Sequence, residues 1–175
     1  MLNRRRLSIV LVAATILTGA FTGCGEGDKS KRLSPPETAT ETTSSGNTIT
    51  INYSKPSLKG RRIGKDVAPF GKVWGIGDNE ATTFEITKDA KIEGKALPKG
   101  KYSLYAMAGE KTWTIIFNKN WNQWAVEYNQ ADDALRVPIA PATAFDYREM
   151  MNFIIERDGR VLLFWGDYMV GFRVQ

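Results

Sequence analysis

The most concentrated group of side chains that could carry chemistry is the run Asp78-Asn79-Glu80. Its carboxylate and amide oxygens could bind Ca²⁺, which takes about six to eight oxygen ligands. One of its carboxylates could also act as an acid or base on a glycosidic bond, if a second carboxylate lies about 5–9.5 Å away. Asp and Asn also commonly cap turns by accepting hydrogen bonds from nearby backbone N–H groups. We favour this structural role, and predict no catalytic residue, no metal site and no cofactor.

Two tryptophans, Trp121 and Trp124, lie in a polar segment, 118–124, that also contains three asparagines and a glutamine. An exposed ring beside amides suits a sugar, whose C–H face stacks on the ring while its hydroxyls bond the amides. The alternative is that these rings close an open end of the fold, because large aromatic side chains are seldom fully exposed. Trp74 is interpreted mainly as a packed anchor of its loop. The candidate ligand-binding residues are Trp74, Asp78, Asn79, Glu80, Trp121 and Trp124.

A basic segment, 55–65, contains five lysines and arginines and no acidic residue. It could contact lipid headgroups or an anionic ligand. The alternative is a solvated loop in which one arginine forms an ion pair. Because Arg61 and Glu80 both lie in distinctive sequence motifs, we predict that these two side chains pair with each other.

The chain contains no histidine. This excludes Ser-His-Asp and Cys-His nucleophiles and every metal site built on histidine. The glycine-rich segment 71–77 has neither dinucleotide-binding nor phosphate-loop spacing. The composition therefore favours a protein without catalytic activity.

The N-terminal region has the three parts of a secretion signal, and Phe21–Cys24 resembles the lipobox of bacterial lipoproteins, with Phe21 where leucine is usual. The alternative is an ordinary signal peptide that is cleaved nearby, in which Cys24 has no role. Arginines at positions 4–6 precede an apolar run, Leu7–Phe21, and small residues lead to Cys24, the only cysteine. The run is shorter than the roughly 20 residues that a spanning helix needs. We expect residues 1–23 to be a signal peptide, Cys24 to carry acyl chains such as palmitate, and residues 24–34 to form a flexible tether.

Removal of residues 1–23 would take away three of the 24 basic residues, leaving 21 against 19 acidic ones, a net charge of +2. A nucleic-acid partner is therefore not expected. The predicted location is the cell envelope, anchored in the outer membrane or facing the periplasm. The expected partners are the membrane, through the lipid, and a glycan or a protein.

Alternation of apolar and polar residues with period two runs through most of the sequence from residue 35 onwards. Thr38–Tyr53 predicts a hairpin around a Ser-Ser-Gly-Asn turn, although its threonine-rich half could instead be a disordered linker. Pro138 lacks a backbone donor and predicts an edge strand. The one helical candidate, Gln130–Ala134, is short. These features predict an all-β fold over residues 35–175, a single antiparallel β-sandwich (jelly-roll or barrel-like) with little helix.

Four motifs, in the same order, resemble the bacterial family called domain of unknown function 2911. They are Tyr53–Arg61, Val73–Thr82, Leu97–Leu104 and Trp113–Asn118. The resemblance extends from about residue 34 to the C-terminus. It implies a secreted or lipid-anchored β-rich protein and supplies no activity. The family usually has an arginine after the tryptophan of the second motif, where this chain has Gly75, so any role of that cation would be lost here.

These observations favour a lipid-anchored, non-catalytic binding or structural module of the cell envelope. The alternative is a glycan-directed envelope hydrolase that uses carboxylates near Asp78 and Glu80. An enzyme would require one of these acids beside another titratable group in a concave pocket. A binding module would require Trp121 to be exposed on a rim or groove.

Overall fold

Strands make up most of this protein, and the computed structural model describes residues 28–175. The predicted signal peptide and Cys24 lie outside these residues. The strands are β1 Pro36–Thr42, β2 Thr48–Ser54, β3 Val73–Gly75, β4 Thr83–Ile86, β5 Ala90–Ile92, β6 Lys95–Leu97, β7 Gly100–Met107, β8 Trp113–Asn118, β9 Asp133–Ile139, β10 Ala142–Ile155 and β11 Arg160–Arg173.

The helical content of residues 28–175 is two 3₁₀ turns, Lys29–Lys31 and Gln130–Asp132. The second turn falls where the sequence predicts the one short helix. No helix in this part of the chain has the length and apolar character needed to cross a membrane.

One layer is a seven-stranded antiparallel sheet in the order β1-β2-β4-β7-β8-β9, with the short β3 also paired to β7. The predicted hairpin forms, with Thr38 opposite Asn52 and Thr42 opposite Thr48. The prediction for Pro138 is confirmed, because its strand β9 is the last in the sheet.

The second layer is built on the long hairpin of β10 and β11. A bridge between Ser57 and Met150 adds the segment after β2 to one side, and a bridge between Ile92 and Val174 adds the β5–β6 hairpin to the other. The predicted all-β sandwich is thereby confirmed.

Aromatic side chains from both layers meet in the core. The Phe172 ring of β11 lies 5.9 Å from the ring of Phe84 and 5.6 Å from that of Phe117, measured between centroids. Tyr53 of β2 packs edge-on against Phe153 of β10 at 4.9 Å. Every second residue of the sheet strands points into this core, so the alternate residues form an outer face.

The outer face near β1 and β2 carries a ladder of hydroxyl and amide groups. Thr38 donates to Asn52 at 2.8 Å, and the Thr40–Thr50 and Thr42–Thr48 hydroxyl pairs lie at 3.0 and 2.9 Å. These cross-strand pairs stabilise the hairpin and leave a polar surface. The threonine-rich half of the hairpin is therefore an ordered strand.

Candidate functional site

A groove of about 740 Å³ lies on the outer face of the seven-stranded sheet. Thr38, Asn52 and Thr83 come from β1, β2 and β4, which places three polar side chains in one cross-strand row. The segment 121–124, Lys29 from before β1, and residues from the loop before β4, from β7 and from the loop after β8 supply most of the remaining lining. The lining residues are Lys29, Pro36, Glu37, Thr38, Asn52, Tyr53, Ser54, Glu80, Ala81, Thr83, Lys101, Trp121, Asn122, Gln123, Trp124 and Glu127.

The segment 119–127, which we call the tryptophan loop, is held to the sheet by residues of β7. The Ser103 hydroxyl donates to the Asn120 carbonyl at 2.8 Å. The Gln123 amide donates to the Tyr105 hydroxyl at 2.6 Å, and that hydroxyl donates to the Glu127 carbonyl. Burial raises the pKa of Tyr105, so its hydroxyl stays protonated and available as a donor.

The motif that contains Asp78, Asn79 and Glu80 pairs with the tryptophan loop as a short antiparallel bridge. The Ala81 N–H donates to the Gln123 carbonyl, and the Ala125 N–H donates to the Asn79 carbonyl, both at 2.9 Å. Glu80 therefore lies directly opposite Trp124. The sequence places these residues about 45 positions apart and offers no sign of this pairing.

Trp121 and Trp124 are 43% and 52% exposed, and both line the groove. The Lys101 ammonium lies 4.5 Å from the centroid of the Trp121 ring, a distance suited to a cation–π contact. The two rings do not close an end of the sandwich. They stand beside Asn122 and Gln123 on the wall of an open groove.

Glu80 is held in its ionised form by two cations. Its Oε2 accepts from Arg32 Nη1 at 2.6 Å, and its Oε1 lies 3.4 Å from Lys29 Nζ. The hydrogen bond from Arg32, with the charges of Arg32 and Lys29, lowers the pKa of Glu80 from 4.5 to about 2. A carboxyl that is ionised throughout the neutral range cannot serve as a proton donor.

The predicted Arg61–Glu80 ion pair is wrong, because each side chain has other partners. The Arg61 guanidinium donates to two backbone carbonyls of its own loop, those of Ser57 at 2.7 Å and Leu58 at 3.0 Å. Glu80 is instead paired with Lys29 and Arg32. Backbone carbonyls of the loop after β2 therefore accept the hydrogen bonds of Arg61, the arginine of that same loop.

Asp78 and Asn79 bind one local backbone group and the distant residue Ser34. The carboxylate of Asp78 accepts from the Ser34 hydroxyl at 2.8 Å and from the Asn79 N–H at 2.9 Å. The Asn79 amide donates to the Ser34 carbonyl at 3.3 Å, and Asn79 has a positive φ of 61°. One of these contacts, from the Asn79 N–H to Asp78, is the local capping expected from the sequence, whereas the contacts with Ser34 are long-range. Neither side chain lines the groove.

Residues 28–34, the described part of the predicted tether, contact the sandwich. Ser34 is buried against Asp78 and Asn79, Arg32 reaches Glu80, and Lys29 lines the groove. A 3₁₀ turn capped by the Asp28 side chain presents these cations. The Asp28-x-Ser30 spacing is a local sequence pattern that favours this capped turn, because an Asp side chain can accept a hydrogen bond from the backbone N–H two residues later.

Trp74 lies apart from the groove, in an aromatic cluster between the layers. Its ring stacks on that of Trp165 at 5.6 Å and meets Trp113 edge-on at 6.1 Å. The Trp74 indole N–H is buried and has no hydrogen-bond partner within residues 28–175. Trp74 is thus a packing residue, as its interpretation as a loop anchor implies.

Of the six candidate residues, the groove brings together Glu80, Trp121 and Trp124 and leaves out Trp74, Asp78 and Asn79. Sequence reasoning missed Lys29 and Lys101 as lining residues. The alternation within β7 could have placed Lys101 on the outer face. Only the register of β7 against β4 puts it beside the tryptophan loop.

Gly75 lies directly beneath the tryptophan loop. A Cβ atom added there would be 2.3 Å from the Ala125 carbonyl oxygen and 2.9 Å from the Ala125 Cβ. Any side chain at this position would require the loop backbone to move. The groove wall of this protein therefore depends on glycine at position 75.

The profile of the family described as protein of unknown function (DUF2911) matches residues 34–174. The chain belongs to this family. The match contains every strand and most of the groove lining, and it begins just after Lys29 and Arg32. No curated protein and no solved structure matches the chain.

Proposed function

We propose that this DUF2911 protein is a non-catalytic, lipid-anchored binding module of the cell envelope, and that its groove takes a saccharide. The observation that carries the proposal is the pair of half-exposed indoles, Trp121 and Trp124, beside Asn122 and Gln123 in a groove of about 740 Å³. Large indole surfaces that remain exposed in a groove are typical of ligand contacts.

The polar side of the groove supports a ligand rich in hydroxyl groups. Thr38, Asn52 and Thr83 provide both donors and acceptors in a cross-strand row. Sugar hydroxyls need both kinds of partner, while the C–H faces of a sugar ring need an aromatic surface. The sheet holds the row rigidly, which lowers the entropic cost of binding.

The alternative of a glycan-directed hydrolase has less support. Glu80 and Glu127 both line the groove, so a second carboxylate is present. A carboxylate pair requires one member to be protonated as the acid. The pKa of Glu80, about 2, removes it from that role, and the Glu127 carboxylate accepts a hydrogen bond from the Trp124 N–H at 3.1 Å.

The binding test is calorimetry and thermal shift of the mature chain against tetrasaccharides such as maltotetraose, cellotetraose and chitotetraose. We expect at least one to bind, and Trp121→Ala to weaken that binding about tenfold or more, as for an aromatic anchor. Phe145→Ala is the matched control, because Phe145 is 97% exposed and lies on β10, away from the groove. Absence of binding by every saccharide, or equal effects of the two variants, would refute the saccharide proposal.

The anchor is tested separately by Cys24→Ser. If acyl chains on Cys24 hold the protein at the membrane, this variant moves to the soluble envelope fraction after cell fractionation. A variant that remains in the membrane fraction would refute lipid anchoring while leaving the groove proposal intact.

A further inference from the structure

The segment before β1 carries both a wall of the groove and the connection to Cys24. Lys29 lines the groove, Arg32 donates to Glu80 at 2.6 Å, and Ser34 donates to Asp78 at 2.8 Å. These contacts join the start of the described chain to the motif that pairs with the tryptophan loop. The groove and the chain entry therefore lie at the same place on the sandwich.

The length of chain between Cys24 and the groove is short. Lys29 follows Cys24 by five residues, and five residues span at most about 18 Å when fully extended. This limit holds whatever conformation those residues adopt. If Cys24 carries the lipid, the distance from the bilayer surface to the groove wall at Lys29 cannot exceed this extended length.

We propose that the groove binds the saccharide of a lipid-linked molecule in the same membrane. This inference rests on the proposed saccharide function and on the lipid anchor. A groove whose wall at Lys29 is held within about 18 Å of the bilayer meets headgroup saccharides at a high effective concentration, because protein and ligand share one surface. A free oligosaccharide gains nothing from this arrangement.

The groove lining combines an aromatic surface with charged groups of both signs. Trp121 offers an apolar surface and Lys101 stands 4.5 Å from its ring centroid. The Lys101 ammonium can donate hydrogen bonds to sugar hydroxyls. Lys29, at the end nearest the chain entry, is paired with Glu80 at 3.4 Å. The carboxylates of Glu37, Glu80 and Glu127 outnumber the two lysines of the lining, so the groove favours a saccharide headgroup without negative charge.

The experiment uses the acylated protein in phosphatidylcholine vesicles. The vesicles carry maltotetraose, cellotetraose or chitotetraose coupled to dansyl-labelled phosphatidylethanolamine. Energy transfer from tryptophan to dansyl reports binding, and the same tetrasaccharide added free displaces it. A second protein has a flexible 20-residue Gly/Ser insertion between Gly25 and Glu26, and the Cys24→Ser protein serves as the unanchored control.

Effective concentration falls roughly as the −3/2 power of linker length. We therefore expect the insertion to lower, on the order of tenfold, the concentration of free tetrasaccharide that displaces half of the vesicle-bound ligand (the half-displacing concentration). Calorimetric affinity for the free tetrasaccharide should be equal in the two proteins. Equal half-displacing concentrations, or binding of the free form alone, would overturn the membrane-linked ligand and leave the saccharide function standing. Failure of every tetrasaccharide in both forms would refute the saccharide function as well.

Discussion

Glu80 links the sequence before β1 to the tryptophan loop. Its side chain is paired with Arg32 and Lys29, and its backbone lies opposite Trp124. The pKa of about 2 follows from the hydrogen bond and charge of Arg32 together with the charge of Lys29. A single carboxylate thus joins the chain entry, the central motif and one wall of the groove.

The low pKa of Glu80 predicts a specific dependence of stability on pH. A folded-state pKa of about 2 lies below the ordinary value of 4.5. The stabilisation is therefore complete above about pH 4.5 and is lost as the pH falls towards about 2. Because the side chain is 46% exposed, solvent screens the pair, and we expect a contribution of at most about 1 kcal/mol.

The corresponding test is Glu80→Gln, with urea unfolding at pH 7 and pH 2.5. The variant should be less stable than the parent at pH 7, and the difference should shrink at pH 2.5. Glu41→Gln is the control, since Glu41 pairs with Arg157 at 3.9 Å at a different part of the surface. An equal difference at the two pH values would contradict the assignment to the Glu80 carboxylate.

The tryptophan loop is the element that turns a flat sheet face into a groove. Hydrogen bonds from Ser103 and Gln123 fix it to β7, and the bridge at Glu80 fixes its other side. These contacts hold two large indoles in position without burying them. A loop secured in this way presents its side chains with little entropy left to lose on binding.

Gly75, at the end of β3, packs against the tryptophan loop, so a substitution there would disturb the loop. Gly75→Ala would place a methyl group 2.3 Å from the Ala125 carbonyl oxygen, so loop or strand must shift, at a cost of about 1–3 kcal/mol. Unfolding should show this loss, and saccharide affinity should fall with it. Lys72→Ala, at an exposed residue just before β3, is the control and should have little effect. Unchanged stability and affinity in Gly75→Ala would show that the loop is not held against β3.

At the scale of the whole molecule, two sheets share one aromatic core. Phe84 and Phe117 project from the large sheet, and Phe172 projects between them from β11. All three are nearly fully buried. The contact joins residues that are up to 88 positions apart in sequence, so it holds the layers together.

Phe172→Ala should therefore lower the free energy of unfolding by about 3–5 kcal/mol, the usual cost of removing a buried phenylalanine. Phe145→Ala removes the same side chain from an exposed site and should change stability by less than about 0.5 kcal/mol. Urea unfolding of both variants measures the difference. A small effect of Phe172→Ala would mean that the second layer contributes little to stability.

Local sequence was sufficient for much of the fold. Alternation predicted the all-β class, the Ser-Ser-Gly-Asn turn predicted the β1–β2 hairpin, and Pro138 predicted an edge strand. The short strands β3, β5 and β6 were not predicted. Each of these signals acts within a few residues, because strand alternation and turn chemistry are properties of neighbouring side chains. The family was also evident from short contiguous motifs.

Ion pairing and exposure were decided only by the tertiary structure. Arg32 pairs with Glu80, 48 positions away in sequence, whereas the Arg61 guanidinium donates hydrogen bonds to carbonyls of its own loop. Trp74 and Trp121 are the same residue type, yet one packs between sheets and the other lines a groove. Composition and alternation determined that this chain is an all-β sandwich, whereas the packing of distant segments determined which acids, cations and rings share a surface, because those contacts depend on sheet register.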